Sequence, residues 1–220
     1  MRAYEGAPDG AMTTGKLITF EGGEGSGKST QARQLAERLG AANISTIVTR
    51  EPGGAPLAEK IRDLVLSDRP AAAVTELLLF AAARAEHIAV TIAPALGAGT
   101  WVVCDRYIDS SRVYQGDIGG IDKAFIRAIE QQTVTPWFPD LTLVLDVGAK
   151  VGMERAQARG GLTRFDAASL AQHEQVRQGF LDLAMAEKDR CVVLNGAEPE
   201  AEVAEAVWKA VTERLIATAG

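Results

Sequence analysis

The chain has little cysteine, no excess of positive charge and no long hydrophobic run, and each shortage closes off a class of protein. Its two cysteines, Cys104 and Cys191, sit in apolar strand-like runs. They read as buried reduced thiols, in keeping with a cytoplasmic location. The formal charge of -6 speaks against a general nucleic-acid binder, which presents a basic surface. It leaves room for a local basic pocket. No uninterrupted apolar run approaches the roughly 18 residues that span a bilayer, so no membrane partner is expected. Residues 1–15 contain Gly6, Pro8 and Gly10 and lack the apolar core of a signal peptide. They read as a flexible N-terminal extension, with Met12 an alternative start. Neither a linker nor an internal repeat divides the rest, so residues 16–220 are expected to form a single domain.

Against these shortages stands one strong motif. Gly22-Gly23-Glu24-Gly25-Ser26-Gly27-Lys28-Ser29 fits the phosphate-loop pattern of Gly, four free positions, then Gly-Lys-Ser. Leu17 to Phe20 reads as a buried strand entering it. Thr30 to Leu39, with Leu35 and Leu39 one turn apart, reads as an amphipathic helix leaving it. In that setting the loop amides turn inward on a polyphosphate and the helix N-terminus adds partial positive charge. Lys28 would reach the β- and γ-phosphates, and the Ser29 hydroxyl would ligate Mg²⁺. The strand-helix context argues against a chance match in a glycine-rich chain. The motif signals a nucleoside triphosphate without saying what is done with it.

Strand-like and helix-like segments alternate along the chain. Strands are predicted at Ser45 to Thr49, Trp101 to Asp105, Leu141 to Val147 and Cys191 to Leu194. Helices are predicted at Pro56 to Ser67, Val74 to Leu96 (with Pro94 disturbing its end), Ile121 to Thr133, Lys150 to Ala158, Leu170 to Lys188 and Ala201 to Ile216. This alternation predicts an α/β fold, a parallel five-stranded sheet flanked by helices. Ligands in such folds collect at the carboxyl ends of the strands.

Four elements can meet there. Arg50, in Thr49-Arg50-Glu51-Pro52-Gly53-Gly54, closes the second strand, where a guanidinium can grip a phosphate or simply pair with Glu51 or another acid. Asp105 closes the third strand and can hold Mg²⁺, directly or through water. Arg106 beside it is a second phosphate clamp, or else the ion-pair partner of Asp105. Phe80 and Arg84 share one face of the long helix. Phe80 alone suits a core, but an unpaired Arg84 there would be costly, and an aromatic plane beside a fixed donor suits a nucleobase. Last, Arg155, Arg159 and Arg164 surround Gly160-Gly161 and read as a mobile basic lid, or as a solvated charged face.

These ordered pieces resemble the bacterial thymidylate kinases, from about Lys16 to the C-terminus. The resemblance rests on FEGGEGSGKST (Phe20 to Thr30), TREPGG (Thr49 to Gly54) and the Phe80/Arg84 pair. It continues through DRYIDSSRVYQG (Asp105 to Gly116), PDLTLVLDV (Pro139 to Val147) and the Arg155-to-Arg164 segment. It implies a phosphate-loop fold with a mobile lid, transfer of the γ-phosphoryl group of ATP to dTMP with Mg²⁺, and a homodimer. It assigns Gly22 to Thr30 to ATP, with Ser29 and Asp105 at the metal and Glu24 facing the acceptor side. Arg50 and Arg106 would hold the dTMP phosphate, and Phe80 would stack on thymine. Arg84 would donate to a base carbonyl, Ser111 and Gln115 would lie near the base, and Tyr114 would crowd a 2′-hydroxyl. Some relatives carry an arginine inside the loop where this chain has Gly25, which assigns the compensating cation to Arg159 or Arg164. The competing readings are another nucleoside or nucleoside monophosphate kinase, and a phosphate-loop switch. A GTPase would be expected to carry an Asn-Lys-x-Asp motif, and none is present.

Overall fold

Leu17–Glu21 (β1), Thr46–Arg50 (β2), Trp101–Asp105 (β3), Leu141–Asp146 (β4) and Cys191–Asn195 (β5) pair in parallel, in the order β2-β3-β1-β4-β5. The computed structural model describes residues 15–67, 71–160, 165 and 168–217. The central strands β1, β3 and β4 are almost continuously apolar because both of their faces are covered. The edge strands β2 and β5 are more open, with Val48, Arg50, Val193 and Asn195 exposed.

Period-two alternation sends neighbouring side chains of β1 into different cores. Ile18 and Phe20 join Val103 and Leu143 beneath Lys28–Ala41 (α1) and Glu200–Val211 (α9). Leu17 joins Val102 and Cys104 on the other face, against Ile88, Ile92 and Leu96. Both cysteines are free and buried. The remaining helices are Pro56–Val65 (α2), Ala73–His87 (α3), Ala93–Gly97 (α4), Ile108–Ser111 (α5), Lys123–Thr133 (α6), Ala149–Arg159 (α7) and Leu170–Ala186 (α8).

The long apolar helix predicted from Val74 stays helical to Gly97, through a π-helical turn at Ile88–Ile92. Pro94 lacks the N–H that an α-turn needs, and the register widens just before it. Ala73–Gly97 has the length and hydropathy to cross a bilayer. It also carries Arg84, buried in an ion pair with Glu51, and His87, buried and hydrogen-bonded to the same carboxylate. The sequence marks the stretch after β3 only as a strand-end element. It folds as α5 followed by a π-helical turn at Arg112–Ile118.

Candidate active site

The carboxyl ends of β1, β2 and β3 open into one cavity of about 480 Å³, lined by Glu24 to Thr30, Arg50, Phe80, Arg84, Asp105 and Arg106, among others. Phosphate-loop residues and the Phe80/Arg84 pair, far apart in sequence, therefore share one space. Ser111, Tyr114 and Gln115 line it as well. Gly22 and Gly23 do not line the cavity, but their carbonyls hold the Lys28 ammonium.

Lys28, the first residue of α1, folds back over the loop. Its Nζ donates to the carbonyl oxygens of Gly22 (3.1 Å) and Gly23 (2.7 Å) and to Ser26 Oγ (3.1 Å). Burial, then Arg106, depresses the ammonium to about 8 against the pull of Glu24. The Ser29 hydroxyl donates to Asp105, which brings an alcohol and a carboxylate together at the cavity wall. Gly25 takes a left-handed φ of 66°. A Cβ there would collide with the carbonyl of Gly152 on α7, so the loop as folded has no room for a side chain at this point.

Arg106 follows β3 with φ 69°, unusual for a residue with a side chain. Its guanidinium donates to Gly22 O (3.1 Å), Ser110 Oγ (3.1 Å) and Glu24 Oε1 (2.8 Å) and lies over the Tyr114 ring. Tyr114 OH donates to the same Glu24 oxygen at 3.0 Å. Burial pushes the Glu24 carboxyl up, but Arg106, Lys28 and Tyr114 together hold it down to about 2. Asp105 and Arg106 therefore take separate partners rather than each other. Arg50 is likewise not bound to Glu51. It pairs with Glu59 at 3.0 Å on the exposed rim.

The other half of the cavity is built around α3. Arg84 is only 4% exposed, and its Nε donates to Glu51 Oε2 at 2.6 Å. Its Nη2 donates to Tyr107 O (3.1 Å) and Ser111 Oγ (3.0 Å). Glu51 also bonds His87 Nδ1 at 3.1 Å, and Thr49 Oγ1 bonds His87 Nε2 at 2.7 Å. Burial of this arginine is thus offset by a buried carboxylate, and burial notwithstanding, Glu51 holds it charged. Phe165 packs against Phe80 (ring centroids 6.5 Å apart) and edge-on to Tyr114 (5.8 Å).

Sequence reasoning missed four groups: Phe165, Arg33 and Arg62, which line the cavity, and Glu21 beneath it. Glu21 ends β1 and accepts hydrogen bonds from Tyr107 N (2.8 Å), Ser110 N (3.1 Å) and Ser110 Oγ (2.7 Å). Burial, and then Asp109, pushes its carboxyl up to about 7. An acid following three apolar strand residues was the available signal. Arg164 and the Arg159 side chain, the expected lid cations, lie outside the described residues, as do residues 1–14.

The thymidylate kinase family model matches residues 20–207. The chain is 48% identical to a thymidylate kinase of Nitrobacter hamburgensis, covering 96% of this chain and 94% of the relative. It is 49% identical to that of Caulobacter vibrioides, covering 93% and 99%. The crystal structure of thymidylate kinase from Ehrlichia chaffeensis superposes with a TM-score of 0.73 at 34% identity, covering 90% of this chain and 98% of that one. By its sequence over nearly its whole length, and by the fold that joins a phosphate loop to the Arg84 pocket, the chain belongs to the thymidylate kinase family.

Proposed function

We infer that the chain transfers the γ-phosphoryl group of ATP to dTMP, giving dTDP and ADP. The observation that carries this reading is the single cavity, which has a phosphate loop at one end and Phe80 with Arg84 at the other. Two nucleotides held there meet phosphate to phosphate, and alignment of the attacking oxygen with the γ-phosphorus supplies much of the rate. Gly22 to Thr30 bind ATP. As the triphosphate arrives, Lys28 exchanges its carbonyl partners for phosphate oxygens.

Arg50 and Arg106 grip the dTMP phosphate, and Glu24 orients Arg106 toward it. Phe80 stacks on the base, with Arg84, Ser111 and Gln115 along its edge and Tyr114 against the sugar. The Ser29 hydroxyl and Asp105 carboxylate are hard oxygen donors in contact with each other, a set that fits Mg²⁺. No cluster of three or more metal-ligating side chains occurs among the described residues, in keeping with an ion held mainly by phosphates and water. When bound, Mg²⁺ neutralises phosphate charge.

With the loop closed to side chains at Gly25, Arg159 and Arg164 supply the remaining positive charge from the lid. Residues 16–220 act as one nucleoside monophosphate kinase domain in the cytoplasm. The enzyme works as a homodimer, and Leu57 and Leu64 on α2 and Val74 and Leu78 on α3 are exposed apolar residues that a second copy would cover. A coupled assay with ATP and each of dTMP, dUMP, CMP, AMP and GMP tests the reading. Turnover on dTMP well above the others is expected, and equal or greater turnover on AMP or GMP would overturn it.

A further inference from the structure

Gln115 lines the cavity and is 4% exposed. Its Nε2 donates to Glu76 Oε1 at 2.8 Å. Glu76 stands in the first turn of α3, four residues before Phe80 and eight before Arg84, on the same helical face. It does not line the cavity itself. A carboxylate only accepts, so it selects one of the two orientations of the Gln115 amide, the one with nitrogen toward Glu76. The amide oxygen is then left for a ligand, and no described residue donates to it.

Arg84 is oriented in the complementary sense. Glu51 takes Nε, while Tyr107 O and Ser111 Oγ take Nη2, so Nη1 is the edge left to donate. The pocket wall thus offers a fixed donor and a fixed acceptor. Thymine presents an O4 acceptor beside an N3–H donor, which matches. Cytosine presents an N4 amino donor beside an N3 acceptor, which opposes both groups.

We propose that Glu76 is a positioning residue for base specificity: by holding the Gln115 amide nitrogen it turns the amide oxygen toward N3–H and sets the site to thymine against cytosine. The proposal rests on the reading of Phe80, Arg84 and Gln115 as the base pocket. Without Glu76 the Gln115 amide can turn over, which loses one match to thymine and gains one to cytosine. A mismatched buried donor or acceptor changes discrimination by roughly 10- to 100-fold.

The test measures kcat/KM for dTMP and dCMP, with saturating ATP, for the full chain and for Glu76→Gln, Glu76→Asp, Gln115→Ala and the Glu76→Gln/Gln115→Ala double variant. Glu76→Gln should lower the dTMP:dCMP ratio about tenfold or more, through KM for dTMP, with KM for ATP and the melting temperature held. Glu76→Asp keeps an acceptor-only group and should lower the ratio less, which also serves if Glu76→Gln fails to fold. In the double variant the two effects should not add. If Gln115→Ala lowers the ratio and Glu76→Gln leaves it unchanged, the proposal falls and the base pocket stands. An unchanged ratio in Gln115→Ala removes the base-pocket reading and the proposal with it. Equal losses for both substrates and for ATP, with a lower melting temperature, would show Glu76 to be structural and overturn the proposal, as would a larger effect of Glu76→Asp than of Glu76→Gln.

Discussion

The two ends of the cavity are held in opposite ways. At the phosphate end, Lys28 rests on neutral backbone carbonyls and Arg106 shares itself among a carbonyl, a serine and one carboxylate. The neutral carbonyls on Lys28 are partners that phosphate oxygens can replace, while Glu24 stays with Arg106 at 2.8 Å and orients it. At the base end, Arg84 is fixed by Glu51 at 4% exposure, with His87 and Thr49 behind it. A buried pair of this kind does not exchange, because either charge left alone would be strongly penalised. On the proposed reading, charge is supplied where the partners are replaceable and the base is read where they are not.

Lys28→Ala would break the first half of this comparison most strongly. Its kcat should fall on the order of 10²- to 10³-fold while the melting temperature stays near that of the parent, since the ammonium sits in a site that already disfavours its charge. Steady-state kinetics paired with a thermal melt would check both parts. Replacing Arg159 and Arg164 together by alanine should cost on the order of 10²-fold or more in kcat, with ATP binding held. Unchanged transfer would cut the link between Gly25 and the lid.

At the base end, stability is the more sensitive readout. Glu51→Ala leaves the Arg84 guanidinium buried without its carboxylate, and chemical denaturation should show a loss of about 3–5 kcal/mol. A loss under about 1 kcal/mol, typical of an exposed pair, would remove the contrast between the two ends.

The smallest effect expected comes from Glu21, which ties the two halves together through Ser110, a partner of Arg106, and Tyr107, a partner of Arg84. Its carboxyl titrates near 7 in the folded chain against 4.5 as the ordinary value. The folded form therefore holds the proton more tightly, and that stabilisation is complete below about 4.5 and lost as pH rises through about 7. Glu21→Gln should abolish this decline, so its stability relative to the parent rises with pH across that window. A parallel pH dependence in the two proteins would contradict the burial argument.

Much of the fold was legible because its signals are local. Strands β1, β3 and β4 are apolar runs bounded by polar residues, and α1 follows a motif that requires a helix. The π-helical turns at Ile88–Ile92 and Arg112–Ile118 were not legible, since apolar spacing does not separate π from α over a single turn. In the site, Lys28, Ser29, Asp105 and Arg106 were marked by motif and strand end. Their partners were not, because pairing is decided by packing. Arg50 and Arg106 each had an acid as sequence neighbour, and both turned to acids further away, Glu59 and Glu24. Glu51 instead reached Arg84, 33 residues on. Phe165 and Glu76 gave no signal at all, since each matters only through what lies beside it in space.

Binding of dTMP and of ATP to the parent chain and to Arg84→Ala, measured separately by calorimetry, tests the contrast most directly. Loss of the fixed donor should weaken dTMP by roughly tenfold or more and leave ATP unchanged. Equal weakening of both nucleotides, or none of either, would contradict a base end built for reading and a phosphate end built for exchange.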